Sequence, residues 1–497
     1  MIKDSYIFLG VIVCTIILRS PNLFPSVINW DESTFILMGQ SVLDGHLPYL
    51  ELWDNKPPLL FFIFALFIGI GGKNIVWIRV AGSLFLGISA FFVYKTGELI
   101  GKVSTGLIAA IIFIIMTGEL GGKAIMSEVI AAVPLTAAFW LMIRSSDNSR
   151  SRFYFLLGIL LAMATLIRFN LAYLALAIFL YYCIRSLVLQ KRLARIAPIS
   201  FVIGFCLTIL LVVIPYWTSG NLSILYRSVL EAPFHYSTSQ ISRSGLTSHF
   251  IVEGVKQGNP ILWVSFLGGL ILIITKLINP QLTIINASRP SLVIFLLWFL
   301  AIALSIASSG NTYSHYIIQI LPLMTLTTGL FFSSPIWSRF RYIGIALFGI
   351  GLLEIARPLM TEYRSMLTQV KNGTLFQDES YRLADFLRRA NPDREPIYLL
   401  DDHIAYWLTD TKPLSKIITH PSNINQPALL KTVMGEDATA EKEIANILAK
   451  KPLFIAKKSY TWYLESTSET NQLLLEYLKN HYQLTAKIED MYVYKRR

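Results

Sequence analysis

The sequence predicts a polytopic α-helical membrane protein with a small α/β domain at its C-terminal end. Three observations predict it. The 497 residues are 54% hydrophobic and only 15% charged, with a mean hydropathy of +0.55, whereas a soluble domain carries about 25% charge. Apolar runs able to cross a bilayer recur from the N-terminus to residue 357. Beyond that point the chain turns polar and mixes helix with strand patterns. The net charge of +12 would suggest nucleic acid in a soluble protein. Basic cytoplasmic loops explain it here, and no arginine-rich tail or basic-aromatic patch supports a nucleic-acid partner. Cys14, Cys183 and Cys206 all lie in apolar runs and read as buried structural thiols.

Residues 1–19 hold an apolar run with no small-residue cleavage site before Asn22-Leu23-Phe24-Pro25, as in a retained first span. Further runs fall at about 76–96, 104–118, 125–143, 153–167, 171–184, 198–217, 260–275, 291–308, 316–333 and 342–357. With 5–19 they make about eleven spans. The run 59–72 is ambiguous, and charge decides it. If it does not cross and the N-terminus is cytoplasmic, then Lys95, Lys102, Arg144, Arg150, Lys191, Arg195, Lys276, Arg289 and Arg341, among others, flank cytoplasmic loops. If it crosses, they all move outside, against the positive-inside rule. The run 59–72 is therefore read as a re-entrant or interfacial helix, leaving Lys73 and Arg79 facing outward. A twelve-span version is the alternative.

An odd span count puts the tail outside and divides the chain into a membrane domain, 1–357, and an extracytoplasmic domain, 358–497. Residues 378–389 have helical periodicity, with Leu383, Phe386 and Leu387 on one face. Residues 396–400 form a run of strand length before Asp401-Asp402, and 452–456 repeat the pattern. Residues 471–482 read as an amphipathic helix and 491–494 as a final edge strand. Strands alternating with helices argue for an α/β domain. Its lack of cysteine is compatible with a bacterial extracytoplasmic location. Residues 218–259 form the other sizeable outer loop. No heptads, low-complexity tract or repeat of a transporter kind is visible.

The chemistry concentrates in the outer loop 21–75. Trp30-Asp31-Glu32 follows the first apolar run, then Asp44-Gly45-His46-Leu47-Pro48-Tyr49 and Trp53-Asp54-Asn55-Lys56-Pro57-Pro58. Ionisable groups at a membrane boundary are costly to desolvate and are usually kept for a task. The block resembles the first outer loop of glycosyltransferases that use polyprenyl-phosphate sugars, such as protein O-mannosyltransferases and aminoarabinose lipid A transferases. Their pattern is an Asp-Glu pair, a small-residue helix ending in Gly, a Pro-Tyr, then an acid near Lys-Pro-Pro. The resemblance is best over residues 30–143. It implies a GT-C fold and an inverting transfer of a hexosyl or pentosyl unit from a polyprenyl phosphate, undecaprenyl-linked in a bacterial inner membrane. The acceptor would be a lipid, glycan or protein on the outer face.

Such a transfer needs a base for the acceptor hydroxyl and positive charge for the leaving phosphate. Asp31 stands where the family keeps its catalytic acid. Adjacent side chains diverge by about 100° on a helix, so Asp31 is favoured as base and Glu32 as its support; an N-terminal cap is the plainer role. Glu128, at the outer end of an apolar span, matches the family's second acidic position, where relatives often carry Asp. The two carboxylates suit magnesium or manganese as hard oxygen ligands, and metal dependence stays open. Lys56 is the phosphate ligand, held by the two prolines, with Asp54 orienting it and Tyr49 in support. Many relatives carry the acid directly before the lysine, where this chain has Asn55. Arg168, beside Asn170, is a second phosphate ligand or a snorkelling span-end residue. His315 and Tyr316, in Thr312-Tyr313-Ser314-His315-Tyr316 with Pro322 downstream, match a short Arg/His-Tyr motif of related enzymes. His235 and Arg243 are given no role.

The tail shows no acid-lysine group of this kind and is expected to position the acceptor without lending a catalytic group. Asp401 and Asp402 lie where α/β sheets bind ligands, but an acid pair in a loop is more often a turn. The rival class is a lipid-linked glycan flippase or other transporter, whose charges would sit near the midplane on broken helices. Here the acids gather at one face.

Overall fold

The computed structural model describes residues 4–145, 151–189, 192–235, 260–281, 285–308, 313–465 and 467–497. Arg150, Lys191, Arg243, Thr312 and most of the predicted loop 218–259 lie outside the described residues. The chain is a multi-pass helical membrane protein with a small sheet near its C-terminus. Among the described residues nine helices are long and apolar enough to cross a bilayer: Asp4–Leu23, Ile75–Ile100, Val103–Gly122, Ser127–Arg144, Phe169–Val188, Ile196–Thr218, Pro260–Ile278, Arg289–Ala307 and Arg341–Asn372. The predicted runs 153–167 and 316–333 form the shorter helices Ser151–Ile167 and Leu321–Ser333. The run 59–72 forms Leu59–Gly71, whose 13 residues rise about 20 Å, short of a hydrocarbon core of about 30 Å. Leu321–Ser333 is equally short, so length does not distinguish the two. The last long helix passes its predicted end at 357 and runs through Pro358 to Asn372. The thiols are not buried as expected: Cys206 is exposed and Cys14 and Cys183 are half-buried, because each lies on a helix with only one face covered.

The described residues gather into two compact units. The first takes Met1–Pro21, Arg79–Val212 and Gln240–Ser365; the second takes Asn22–Ile78, Val213–Ser239 and Met366–Arg497. In the first, the helix from Val103 breaks at 118–122, where Gly121 adopts φ 88°. Arg19, buried, donates from Nη1 to the Gly122 carbonyl at 2.6 Å and from Nη2 to that of Lys123 at 2.8 Å. It satisfies carbonyls that the broken helix leaves unpaired and so fixes the entry to Ser127–Arg144.

In the second unit, helix Trp30–Leu43 starts on Asn29, whose side-chain oxygen accepts from the Asp31 amide at 2.8 Å. Leu59–Gly71 starts after Pro57-Pro58, whose fixed φ suits a helix entry. The two helices run parallel: Phe35 meets Phe61 and Phe64, Gly39 meets Phe64 and Ala65, and Leu43 meets Gly69. A Cβ on Gly39 would lie 2.8 Å from Phe64 Cβ and 2.9 Å from the Ala65 nitrogen, so the approach requires glycine. Parallel packing brings both N-terminal ends together. Asp31 and the Lys56-Pro57-Pro58 turn therefore share one end of the pair.

The same unit holds one four-stranded sheet: β1 (Ile397–Leu399), β2 (Phe454–Lys458), β3 (Tyr482–Ile488) and β4 (Met491–Arg496), in the order β1-β2-β4-β3. β1 and β2 are parallel and the other pairs antiparallel. Helices Glu379–Ala390 and Glu469–His481 stand where the periodicity placed them. The predicted edge strand 491–494 is instead an inner strand, because β3 pairs outside it. β3, Tyr482-Gln-Leu-Thr-Ala-Lys-Ile488, does alternate apolar and polar residues, but it follows helix Glu469–His481 without a break, and its residues 483–485 are all exposed.

Candidate active site

The parallel pair and the C-terminal segment build a cluster around Asp31 within the second unit. Asp31 Oδ2 lies 4.0 Å from Lys56 Nζ, and its Oδ1 lies 3.6 Å from His420 Nε2. The three side chains retain 24%, 19% and 18% of their exposure, so solutes can reach them. Glu32, by contrast, is buried, and the two acids diverge as the helix dictates. Lys56 is positioned from several sides. Its amide donates to Asp54 Oδ1 at 3.0 Å, its ammonium to Asn55 Oδ1 at 3.0 Å, and its carbonyl accepts from Tyr49 Oη at 2.5 Å. Asp54 thus holds the lysine backbone, while Asn55 meets its head. Burial raises the Asp54 carboxyl above its usual range, against the pull of Lys56. Tyr49 sits at φ 73° with its ring against Phe61 and Tyr216. A bulky residue keeps that backbone only where its surroundings impose it.

The segment 401–420 anchors this loop. Trp53, buried, donates from its amide to the Lys416 carbonyl at 3.0 Å, and its carbonyl accepts from Thr419 Oγ1. Thr34 Oγ1 donates to the Thr419 carbonyl at 2.9 Å and meets His403 Nε2 at 2.9 Å. Burial holds the His403 imidazole well below the usual histidine range, with His420 adding to the effect. Burial also lowers His420, while Asp31 and Asp54 oppose the shift. The tail, expected to position the acceptor without lending a catalytic group, puts His420 beside Asp31. Sequence reasoning missed both imidazoles, since their only signal is a His-Pro step and a His after an acid pair, each far along the chain.

A second cluster lies in the first unit. Glu128, fully buried in the first turn of Ser127–Arg144, ion-pairs through Oε1 with Arg168 Nη1. Ser127 Oγ donates to its Oε2 at 3.0 Å, and His315 Nε2 lies 3.7 Å from Oε1. The Arg168 guanidinium stacks over Tyr316 at 4.5 Å, and its Nε donates to Asn170 Oδ1 at 3.3 Å. Asn170 Nδ2 reaches Ser305 Oγ and Gln319 Oε1, each at 2.9 Å. The expected residues therefore form two groups: Asp31, Tyr49, Asp54 and Lys56 in one, Glu128, Arg168, Asn170, His315 and Tyr316 in the other. His235 lies outside both, with Nδ1 3.2 Å from Thr432 Oγ1.

Asp31 faces a lysine and an imidazole, and Glu128 is bound by an arginine. Among the described residues no three His, Cys, Asp or Glu side chains converge as ligands. Asp401 and Asp402 are structural. Asp401 Oδ2 accepts from the Lys458 amide and Thr461 Oγ1, both at 3.0 Å, and Asp402 Oδ2 accepts from Ser380 Oγ at 2.7 Å. A cavity of about 930 Å³ opens at the far end of helix Trp30–Leu43, between Asp44, Glu51, Lys73, Asp410 and Lys412. Asp31 does not line it.

The family model of dolichyl-phosphate-mannose-protein mannosyltransferases matches residues 55–217. ArnT from Cupriavidus metallidurans is similar over nearly the whole chain. Its apo structure gives a TM-score of 0.63 at 13% identity, covering 98% of each chain. Its undecaprenyl phosphate complex gives 0.64 at 12%, covering 99% of this chain and 97% of that one. The oligosaccharyltransferase AglB from Archaeoglobus fulgidus, in complex with an inhibitory peptide and a dolichol-phosphate, gives 0.54 at 11%, covering 92% and 70%. No curated sequence matches. These likenesses show the GT-C fold.

Proposed function

We propose that this protein is an inverting glycosyltransferase. It moves a monosaccharide, hexosyl or pentosyl, from a polyprenyl phosphate to an acceptor hydroxyl at the outer face of the membrane. The observation that carries the reading is Asp31 set between Lys56 and His420 where two parallel helices begin. Asp31 takes the proton of the acceptor hydroxyl as its oxygen bonds to the anomeric carbon. The bond from that carbon to the phosphate oxygen breaks, and the phosphate leaves with the lipid. Lys56 and the two helix N-termini meet the developing charge on that phosphate. A single displacement inverts the anomeric carbon. The match to lipid-phosphate mannosyltransferases and the undecaprenyl phosphate in the ArnT complex support this donor class. The basic-loop asymmetry supports the outer face, and a bacterial plasma membrane would supply the donor. Acceptors fitting the reading are lipids, glycans or proteins displayed there.

The test is transfer in reconstituted membranes. Asp31→Asn keeps size and removes the base, so turnover should fall by roughly 100-fold or more while donor still binds. Lys56→Ala should raise the donor KM first. Near-normal transfer by Asp31→Asn would remove Asp31 as the base.

A further inference from the structure

The parallel strands β1 and β2 end at one edge of the C-terminal sheet, and their carboxyl ends deliver residues to Trp30. In open α/β sheets that edge is where ligands bind. β1 is followed by Asp401-Asp402-His403, and His403 meets the Trp30 ring edge-on at 5.9 Å. β2 is followed by the loop 459–463, whose Trp462 tilts 41° to Trp30 at 5.9 Å and whose Tyr463 meets it at 6.2 Å. His420 completes the group 5.5 Å from Trp30. Trp462 and Tyr460 nevertheless stay 58% and 69% exposed.

The loop that presents them is tied down. Asp401 accepts from Lys458 and Thr461, Tyr463 Oη donates to the Leu400 carbonyl at 2.6 Å, and Asn425 Nδ2 donates to the Tyr463 carbonyl at 2.8 Å. A large indole left in the open on a tied-down loop, packed against the Trp30 that precedes Asp31, is a prepared contact surface. We propose that Trp462 and Trp30 form an aromatic platform that takes a saccharide ring of the acceptor.

The chemistry fits that class. Indole faces accept the C–H-rich face of a pyranose, while Asp31 and His420 at the margin offer partners for its hydroxyls. The placement selects the acceptor over the donor. Lys56 addresses Asp31 Oδ2, the phosphate side on the proposed reading, whereas His420, which packs against Trp30, addresses Oδ1. An acceptor hydroxyl must come within hydrogen-bond reach of the base, and the platform adjoins it. The assignment to the acceptor rests on the glycosyltransferase reading; saccharide binding itself does not.

The experiment uses the full chain in lipid nanodiscs and the methyl glycosides of glucose, mannose, galactose and N-acetylglucosamine at millimolar concentration. Saturation-transfer NMR should show contact with the ring C–H protons of at least one. Trp462→Ala should weaken that binding about tenfold or more and Trp462→Phe should keep most of it, with unchanged melting temperature because the ring is exposed. No glycoside binding, or equal binding by Trp462→Ala, would overturn the proposal. So would fluorescence quenching by brominated lipids that disappears in Trp462→Phe, which would make the ring a membrane anchor. Saccharide binding in a protein that turns over no lipid-phosphate sugar would sink the transferase reading and leave the platform. Turnover without saccharide binding would do the reverse.

Discussion

His403 and His420 make the second unit sensitive to acid. Both imidazoles are held below an unperturbed pKa of about 6.5, His403 by burial beside Trp30, Thr34 and His420, with Asp31 opposing. A depressed histidine contributes stability that is present above its unfolded pKa. As pH falls below about 6.5 the unfolded chain binds protons that the folded unit refuses, and stability drops. Asp54, raised by burial, works in the opposite sense at lower pH. Melting of the detergent-solubilised protein should therefore shift downward between pH 7 and 5. His403→Gln keeps a hydrogen-bonding group toward Thr34 and should flatten that fall; equal slopes in the two proteins would remove His403 from the account. Asp31 and Lys56 were legible in the sequence because one short stretch, 31–56, carries both, with a Pro-Pro turn between them and the next helix. The imidazole beside Asp31 was not, because nothing local marks residue 420 as its neighbour.

Elements with strong periodicity were equally legible: the long apolar helices, Glu379–Ala390 and Glu469–His481 stand where it put them. Two misses sit where one element runs on into the next. β3 alternates apolar and polar residues but follows the preceding helix without a break, and Pro358 with charged neighbours hid the continuation of Arg341–Asn372. The parallel pairing of Trp30–Leu43 with Leu59–Gly71 was also hidden, because it depends on one glycine meeting another helix's backbone. Gly39→Ala tests it. Alanine improves helix propensity by about 1 kcal/mol, but the new Cβ meets Phe64 and Ala65 at under 3 Å, and such overpacking costs about 1–3 kcal/mol. The clash should win, lowering the melting temperature and weakening donor binding as the helix starts at Asp31 and Pro58 separate. Gly69→Ala is the control. Its Cβ would meet Leu43 at an ordinary 3.6 Å, so stability should hold or rise. A Gly39→Ala protein as stable and active as Gly69→Ala would show that the pairing does not set the site.

At the scale of the whole molecule, the chain enters the second unit three times, at 22–78, 213–239 and 366–497. Composition alone draws one boundary near residue 357, because hydropathy reads along the chain and cannot see that a distant loop is covered by the tail. Thr34, Trp53 and Asp54 are buried, and Thr34 and Trp53 bond directly to residues 403, 416 and 419. Removing 372–497 would strip those partners and leave buried polar groups unmet, each at about 1–3 kcal/mol. The truncated protein should therefore keep its long apolar helices by circular dichroism, lose donor binding, and become open to chymotrypsin near Trp30 and Trp53. A truncated chain that binds the lipid-phosphate donor normally, with that loop still protected, would show that the loop folds without the tail and that His420 is a bystander to Asp31.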